Sequence, residues 1–383
     1  MQTTAQLWLL HSLDPSPALL GIFGFANQIP MLVLASVGGY LGDRYSRHRG
    51  VIATQTISML LAFLLAGLTL AHRVHAWHLI AITFLVGIVN AFDVPIRQSF
   101  FVQMVGKEDL PNAIALNSSI FNGARVVGPA IAGFAIGWIG EGWCFFLNGL
   151  SFLAVIFALL AMEIAPQERK ANGESPMQGL LQGFRFAMKD RTIRSILLLL
   201  SMLSLLGLQY SSFMPVFAKD ILHAGPKGFG TLMSAAGVGA VLGALQFAAR
   251  TRYERLTKWI ATMSLISSVG LVVFSRSHLF WLSIAVLFVV GFAATSQMAA
   301  TNTTVQNRVP DELRGRVMAV YATMFMGVQP IGALLATALV KRMSVPQAMT
   351  IFGAVCLLCS LAFAAWVLLR VRPAEQALAA RAR

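Results

Sequence analysis

Apolar residues run along this chain in blocks, most of them about 20 residues long, enough for a helix to cross ~30 Å of hydrocarbon. The blocks predict helices at 17–42, 51–70, 77–105, 113–138 and 143–162, then at 193–217, 229–249, 256–274, 279–306, 317–340 and 346–369. Residues 163–191, between the two groups, are rich in Pro, Gly, Gln and charge. Inside that stretch Met177, Leu180, Leu181, Phe184 and Met188 recur at helical spacing beside Arg185 and Lys189, which predicts a short amphipathic helix on a membrane surface. Residues 1–13 have a helical pattern but are too short to span. They look like the back half of a helix whose front half is missing, closed by the turn Asp14-Pro15-Ser16-Pro17. With no basic start and no long apolar core, they do not make a signal peptide.

Composition agrees with a bilayer. Hydrophobic residues make up 57% of the 383 and charged residues only 11%, against about 25% charged in soluble domains. A net charge of +14 raises the possibility of nucleic acid, but the basic residues gather at helix ends rather than on one face. When the spans alternate across a membrane, 21 of the 29 Lys and Arg fall on one side, in 43–49, 106–112, 163–194, 250–258, 308–316 and the C-terminal tail. Six fall on the other side, and Arg97 and Arg125 lie within spans. By the positive-inside rule the linker and C-terminus are cytoplasmic. The expected organisation is a helical bundle over 1–163, a linker over 164–191, a second bundle over 192–370 and a tail over 371–383. The two halves echo each other: Arg47 and Arg49 recur as Arg250 and Arg252, and Gln103 and Leu110 recur as Gln306 and Leu313, each 203 positions on. A weak repeat of this kind suits a transporter built from two bundles.

The candidate chemistry centres on the hairpin 91–133. Asp93 lies 12 residues before Val105 and Arg125 lies 12 residues after Ala113, so each sits roughly 18 Å from the turn between their helices. Asp93 is the one carboxylate expected well inside the hydrocarbon, and Arg97, four residues on, shares its helix face. Pro95 between them removes a backbone hydrogen bond. A charge at that depth costs at least ~2.5–3.5 kcal/mol, so it needs a partner or water. Two readings stay open: Asp93 exchanges Arg97 or Arg125 for a proton or substrate, or the three form a permanent brace. Two arginines flanking one acid favour its charged form, which supports the brace.

Three stretches carry a family resemblance. Gly39-Tyr-Leu-Gly42-Asp43-Arg44-Tyr-Ser-Arg47-His-Arg49 resembles the loop signature between the second and third helices of the major facilitator superfamily. Gly123-x4-Gly128-Pro129-x3-Gly133 resembles the fifth-helix signature of its drug/proton antiporters. The phrases DVPIRQ, PNAIALNSSIFNGARVVGPAIAG and VPDELRGRVMAVY are similar to those of the enterobactin-exporter-like efflux proteins, and the likeness covers essentially the whole chain. The resemblance implies an all-α membrane protein of the major facilitator fold, with two six-helix bundles related by a pseudo-twofold repeat and, here, an incomplete first helix. It also implies proton-driven efflux.

Within that frame Gly39 and Gly42 allow close helix approach. Asp43 can accept hydrogen bonds from the start of a helix in the other half, the one preceded by Arg314, and Arg47 can reach Gln103. These contacts would latch the halves; alternatively Arg44, Arg47 and Arg49 only set topology, and His48 reads as a solvated loop residue. The Gly123, Gly128, Pro129 and Gly133 face is either a leak-limiting contact or ordinary small-residue packing. Asn117, Asn122, Gln209, Tyr210, Phe213, Asn302 and Gln329 can line a central cavity, although each type also serves as interhelical glue. Met202, Met214 and Met233 suit an adaptable pocket or act as filler.

Other chemistry is missing from the pattern. There is no G-x4-G-K-[ST] for ATP, the seven histidines form no paired metal motif, and the three cysteines cannot build a disulfide framework. Cys356-x2-Cys359 sits in an apolar helix, and no cofactor or metal is expected. The reading is a monomeric inner-membrane secondary transporter, not an enzyme, exporting small amphipathic molecules such as drugs or siderophores by proton antiport, with no nucleic-acid partner. The alternatives are an anion or metabolite porter using Arg97 and Arg125, and a non-transporting scaffold or inactive fragment.

Overall fold

A computed structural model describes residues 1–44, 46–105, 110–162, 176–249 and 256–371 of the chain. Among the described residues the regular structure is helical throughout, with no strand. The first five helices are α1 (Gln2–Leu13), α2 (Pro17–Arg44), α3 (Arg47–Leu70), α4 (Ala76–Val105) and α5 (Leu110–Leu160). The spans predicted at 113–138 and 143–162 are the two arms of α5, which meet at Gly140 with φ of 80°. Only a residue without a Cβ takes that conformation cheaply. The amphipathic helix is α6 (Pro176–Lys189), and α7 (Arg191–Met202) follows, its start capped by Asp190, whose carboxylate accepts from the backbone N–H groups of Thr192 at 2.8 Å and Ile193 at 2.9 Å.

The predicted helix at 193–217 is not continuous. After α7 come a π turn over Leu203–Gly207, a 3-10 turn over Leu208–Ser211, the short α8 (Met214–Val216) and a second π turn over Phe217–Ile221. Pro215 explains part of this: it has no N–H and its ring excludes the carbonyl of Ser211 from a normal helical bond. The same reasoning applies to 317–340, which divides into α12 (Asp311–Met326) and α13 (Gln329–Val340) around Gly327, where Pro330 denies a partner to the Met326 carbonyl. The remaining helices are α9 (Gly225–Ala248), α10 (Leu256–Arg276), α11 (Phe280–Arg308) and α14 (Val345–Trp366), the last opened by a capping box between Ser344 and Gln347.

Ten stretches among the described residues are long and apolar enough to cross a membrane, the one at 127–160 being interrupted at Gly140. Large side chains such as Leu60, Trp77, Phe157, Trp281 and Leu369 stand exposed on them. In water that surface would aggregate; against lipid tails it is matched.

The chain divides into two compact units. The first comprises 1–173 together with 212–231 and 333–341; the second comprises 174–211, 232–332 and 342–383. In the first, α2 packs on α4, and α3 lies on both α4 and α5. Close approach depends on Gly87, where an added Cβ would stand 2.9 Å from the Asn27 carbonyl and 3.0 Å from the Pro30 ring.

The second unit is built on α10 against α11 and α14, with α6 laid on α12. One face of α6 (Leu180, Phe186, Ala187 and Met188) belongs to a core shared with Ile193, Ile196, Leu200, Val317 and Tyr321. Its fit on α12 needs Gly183, where a Cβ would meet the Arg316 backbone at under 3.0 Å. In α9 and α11, Gly239, Gly243 and Gly291 bring backbone to backbone; a Cβ on Gly291 would lie under 3.0 Å from the Ala236 carbonyl. Neither helix backbone has a flexible end that can yield. Gly291→Ala is therefore expected to destabilise the protein by roughly 1–3 kcal/mol, read as a lowered melting temperature in detergent. An unchanged melting temperature would show that α9 and α11 separate without cost.

Candidate functional site

The polar centre of the first unit is Asp93. It is 4% exposed, on α4, and Pro95 two residues later leaves the Ala91 carbonyl without its helical N–H partner. Its Oδ1 accepts from Thr54 Oγ1 at 2.6 Å and from Gln55 Nε2 at 3.1 Å, both on α3. Its Oδ2 takes the Arg97 guanidinium Nε at 3.1 Å, one helical turn away. Thr54 Oγ1 also lies 2.9 Å from the Val51 carbonyl. The single hydroxyl proton goes to the carboxylate, the shorter and charge-assisted bond. The Arg97 side chain is 58% exposed, so the cluster has one dry side, made of α3 donors, and one open side, made of a cation. The Arg125 side chain lies outside the described residues, so the third member of the expected network is not placed.

Thr54 and Gln55 were not among the expected site residues. Their signal was the triplet Thr54-Gln55-Thr56 inside an otherwise apolar helix.

Much of the loop signature also falls outside what is described: the surroundings of Gly39 and Gly42 and the side chains of Asp43, Arg44 and Gln103. Arg47 is half-buried in the first turn of α3, and Arg314 is ion-paired with Asp311 of its own helix. The solvated reading of His48 is corrected. Its Nε2 lies 2.7 Å from the Leu159 carbonyl and its ring stacks on Phe100 at 5.6 Å, because α3 begins at Arg47 and turns His48 inward.

The glycine face of α5 meets the start of α9. A Cβ on Gly133 would stand 2.6 Å from the Gly230 Cα and 2.8 Å from the Pro226 carbonyl, and one on Gly230 would stand 2.9 Å from the Pro129 carbonyl. Among the described residues, a Cβ on Gly128 would have no closer neighbour than the Met1 nitrogen at 3.8 Å, and one on Gly123 would have none within 4 Å. Beside this crossing, His11 at the end of α1 is 1% exposed and its Nε2 lies 2.8 Å from Asp220 Oδ2. Trp8 stacks on Phe229 at 5.6 Å, and Lys227 stands over the Trp138 ring at 5.8 Å. Gly21 packs against Thr337 and Gly24 against Ser212. Thus 212–231 and 333–341, from the second half of the sequence, are held among α1, α2 and α5 by close backbone contact and by a buried His11 paired with a half-exposed Asp220.

Of the proposed cavity residues, Asn117 and Asn122 have side chains outside the described residues. Gln209 is buried, and its amide donates to the Leu205 carbonyl at 3.0 Å and the Gln329 carbonyl at 3.3 Å. Ser201 Oγ donates to the Met324 carbonyl at 3.0 Å and Ser204 Oγ to that of Phe325. These bonds brace the break after α7 against the break between α12 and α13, supplying donors to carbonyls near both irregular turns. Tyr210 packs edge-on to Phe274 at 6.3 Å, Phe213 is fully buried, and Asn302 accepts from Gln306 Nε2 at 2.6 Å along α11. Among the described residues no three His, Cys, Asp or Glu side chains are placed to hold a metal ion.

The membrane-length helices make this a multi-pass membrane protein, and its family and relatives are transporters rather than enzymes. The chain belongs to the transmembrane secretion effector family of the major facilitator superfamily, whose model matches residues 1–383. It is 25% identical to the staphyloferrin A transporter of Staphylococcus aureus over 90% of this chain and 87% of that protein. It is 24% identical to the multidrug efflux pump Tap of Mycolicibacterium fortuitum (86% and 82%) and 26% identical to the enterobactin exporter EntS of Shigella boydii (80% and 73%). Its fold is that of a nucleoside transporter NupG variant, with a TM-score of 0.75 at 14% identity and coverage of 95% and 94%. A bacterial homologue of the lysosomal transporter Spinster, solved inward-facing and unoccupied, gives 0.66 at 15% identity, covering 94% and 95%.

Proposed function

We propose that this protein is a secondary active exporter of small amphipathic molecules, drugs or siderophores, working by proton antiport and alternating access. The observation that carries the reading is Asp93: a buried carboxylate held by neutral donors on one side and by a largely exposed arginine on the other. A proton or a cationic substrate can take the place of Arg97 without unfolding anything. The curated relatives, which export a siderophore or drugs, support the substrate class, and the lack of a nucleotide-binding motif supports an ion gradient as the driving force. In this reading 1–163 and 192–370 are the two bundles, the linker and C-terminus face the cytoplasm of a bacterial inner membrane, and the monomer is the working unit. The contacts around His11, Gly133 and Gly230 then close the side opposite the linker, while Asp43, Arg47, Gln103 and Arg314 belong to the closure on the linker side. Because Arg97 presents its charge outward, an anionic substrate is the second reading.

The deciding experiment is efflux from inverted vesicles, using a fluorescent cation and a catechol siderophore with the proton gradient set by pH jump. Transport of either, abolished by a protonophore, is the expected result. Transport of anionic metabolites alone would favour the second reading, and gradient-independent equilibration would remove antiport. In the same vesicles His11→Ala is expected to raise substrate leak down its own gradient severalfold by loosening the outer closure. Leak equal to the wild type would make the His11–Asp220 pair a local brace.

A further inference from the structure

Among the described residues, the helix α6 and the first turn of α7 carry more positive charge than their neighbours neutralise. Arg185, Lys189, Arg191 and Arg194 are all exposed. The neighbouring cations are engaged: Arg308 lies 3.9 Å from Asp190, Arg314 pairs with Asp311, and Arg316 donates to Gln182 Oε1. Asp190 is further committed to capping α7. Arg194 makes one long contact, 3.4 Å to the Met188 carbonyl. Among the described residues none of the four has an acidic partner.

A second feature lies on the same helix. While Leu180, Phe186, Ala187 and Met188 are spent on the core, Leu181 and Phe184 are 49% and 45% exposed. Arg185 follows Leu181 by one turn and Lys189 follows Arg185 by one more, so bare apolar side chains lie next to a row of cations that have no acidic partner among the described residues. This is not a lipid-tail surface like those of the spans, which carry no such charge. Nor is it a solvated face, which would not present Leu and Phe. Apolar side chains beside cations, at the start of a membrane-length helix, complement an interface that is hydrocarbon below and anionic above.

We propose that α6 and the first turn of α7 form a docking surface for anionic phospholipid headgroups. Arg185, Lys189, Arg191 and Arg194 lie against the phosphates, and Leu181 and Phe184 enter the upper acyl chains. Because Gly183 seats α6 directly on the Arg316 backbone, lipid that holds α6 also holds the start of α12. Arg185 and Lys189 lie on the side of α6 away from Gly183 and Ala187, with Leu181 and Phe184 along the edge between the two.

The test is native mass spectrometry of the full chain in detergent, titrated with phosphatidylglycerol or phosphatidylcholine. The wild type is expected to retain phosphatidylglycerol preferentially. Arg185→Gln with Lys189→Gln should weaken that retention about five-fold per charge, about thirty-fold for the pair, and leave phosphatidylcholine unchanged. Both side chains are exposed, so the melting temperature should not move. Leu181→Ser with Phe184→Ser should weaken both lipids. Equal phosphatidylglycerol retention in the charge variant, or equal loss of the two lipids, overturns the proposal. Displacement of phosphatidylglycerol by inorganic phosphate, against chloride at matched ionic strength, would assign the cations to a free anion and overturn it as well.

Discussion

Asp93→Asn is expected to lower proton-driven efflux by at least ~10-fold while the protein remains in the membrane at normal abundance, since buried intramembrane carboxylates mark proton and substrate pathways. Asparagine has the volume of aspartate and still accepts from Thr54, so the α3–α4 contact survives. It cannot bind and release a proton, and it leaves Arg97 without its counter-charge. Pairing Asp93→Asn with Arg97→Gln separates the two roles open for this cluster. If Asp93 is a brace, the double variant recovers much of what the single variant lost, because the orphaned cation is gone. If Asp93 carries the proton, the double variant stays as inactive as the single one. Export that remains pH-driven in Asp93→Asn, at wild-type rate and expression, would remove the carboxylate from the coupling path altogether.

Gly133→Leu should act on the opposite part of the cycle. A Cβ at 133 already stands 2.6 Å from the Gly230 Cα, and a leucine adds three more carbons against backbone that has no rotamer to change. Overpacking of this kind costs roughly 1–3 kcal/mol, which displaces a two-state equilibrium about five- to 150-fold away from the packed arrangement. The expected result is loss of export with a protein that folds, binds detergent normally and exposes His11 and Thr337 to water. Cysteine placed at Thr337, in a background with Cys144, Cys356 and Cys359 replaced, then reacts with a soluble maleimide faster than in the parent. Parent-like labelling together with parent-like export would mean that α5 and the start of α9 tolerate side chains, and that the crossing is incidental to transport.

The spans were legible because hydropathy needs no partner: a run of apolar residues is apolar wherever it packs. The break at Gly140 could be anticipated from the gap between 138 and 143, but those after Met202 and Met326 were not. Pro215 and Pro330 hint at them, yet Pro30, Pro95 and Pro129 stay inside continuous helices. The two breaks coincide with tertiary bonds, Gln209 to the Gln329 carbonyl and Ser201 to that of Met324, which nothing local in the sequence marks. Asp93 and Arg97 were legible as an i, i+4 pair. Thr54 and Gln55 were not, since their place beside Asp93 depends on the register of α3 on α4. His11 and Asp220 lie 209 positions apart, and nothing local to either marks the other. His48 was misjudged because the residues around it looked like loop, whereas Ser46 starts a helix there.

The first compact unit takes in 212–231 and 333–341, and this bears on how the protein can be cut. Cleaving between residues 163 and 175 would yield two polypeptides of familiar size, but the N-terminal piece would lack the partners of Gly133, Trp8, His11 and Gly21. Alone it would present a glycine groove and a buried imidazole to the bilayer or to water. The two pieces should therefore assemble only when made together, and the N-terminal piece expressed by itself should be recognised by membrane proteases as unfinished.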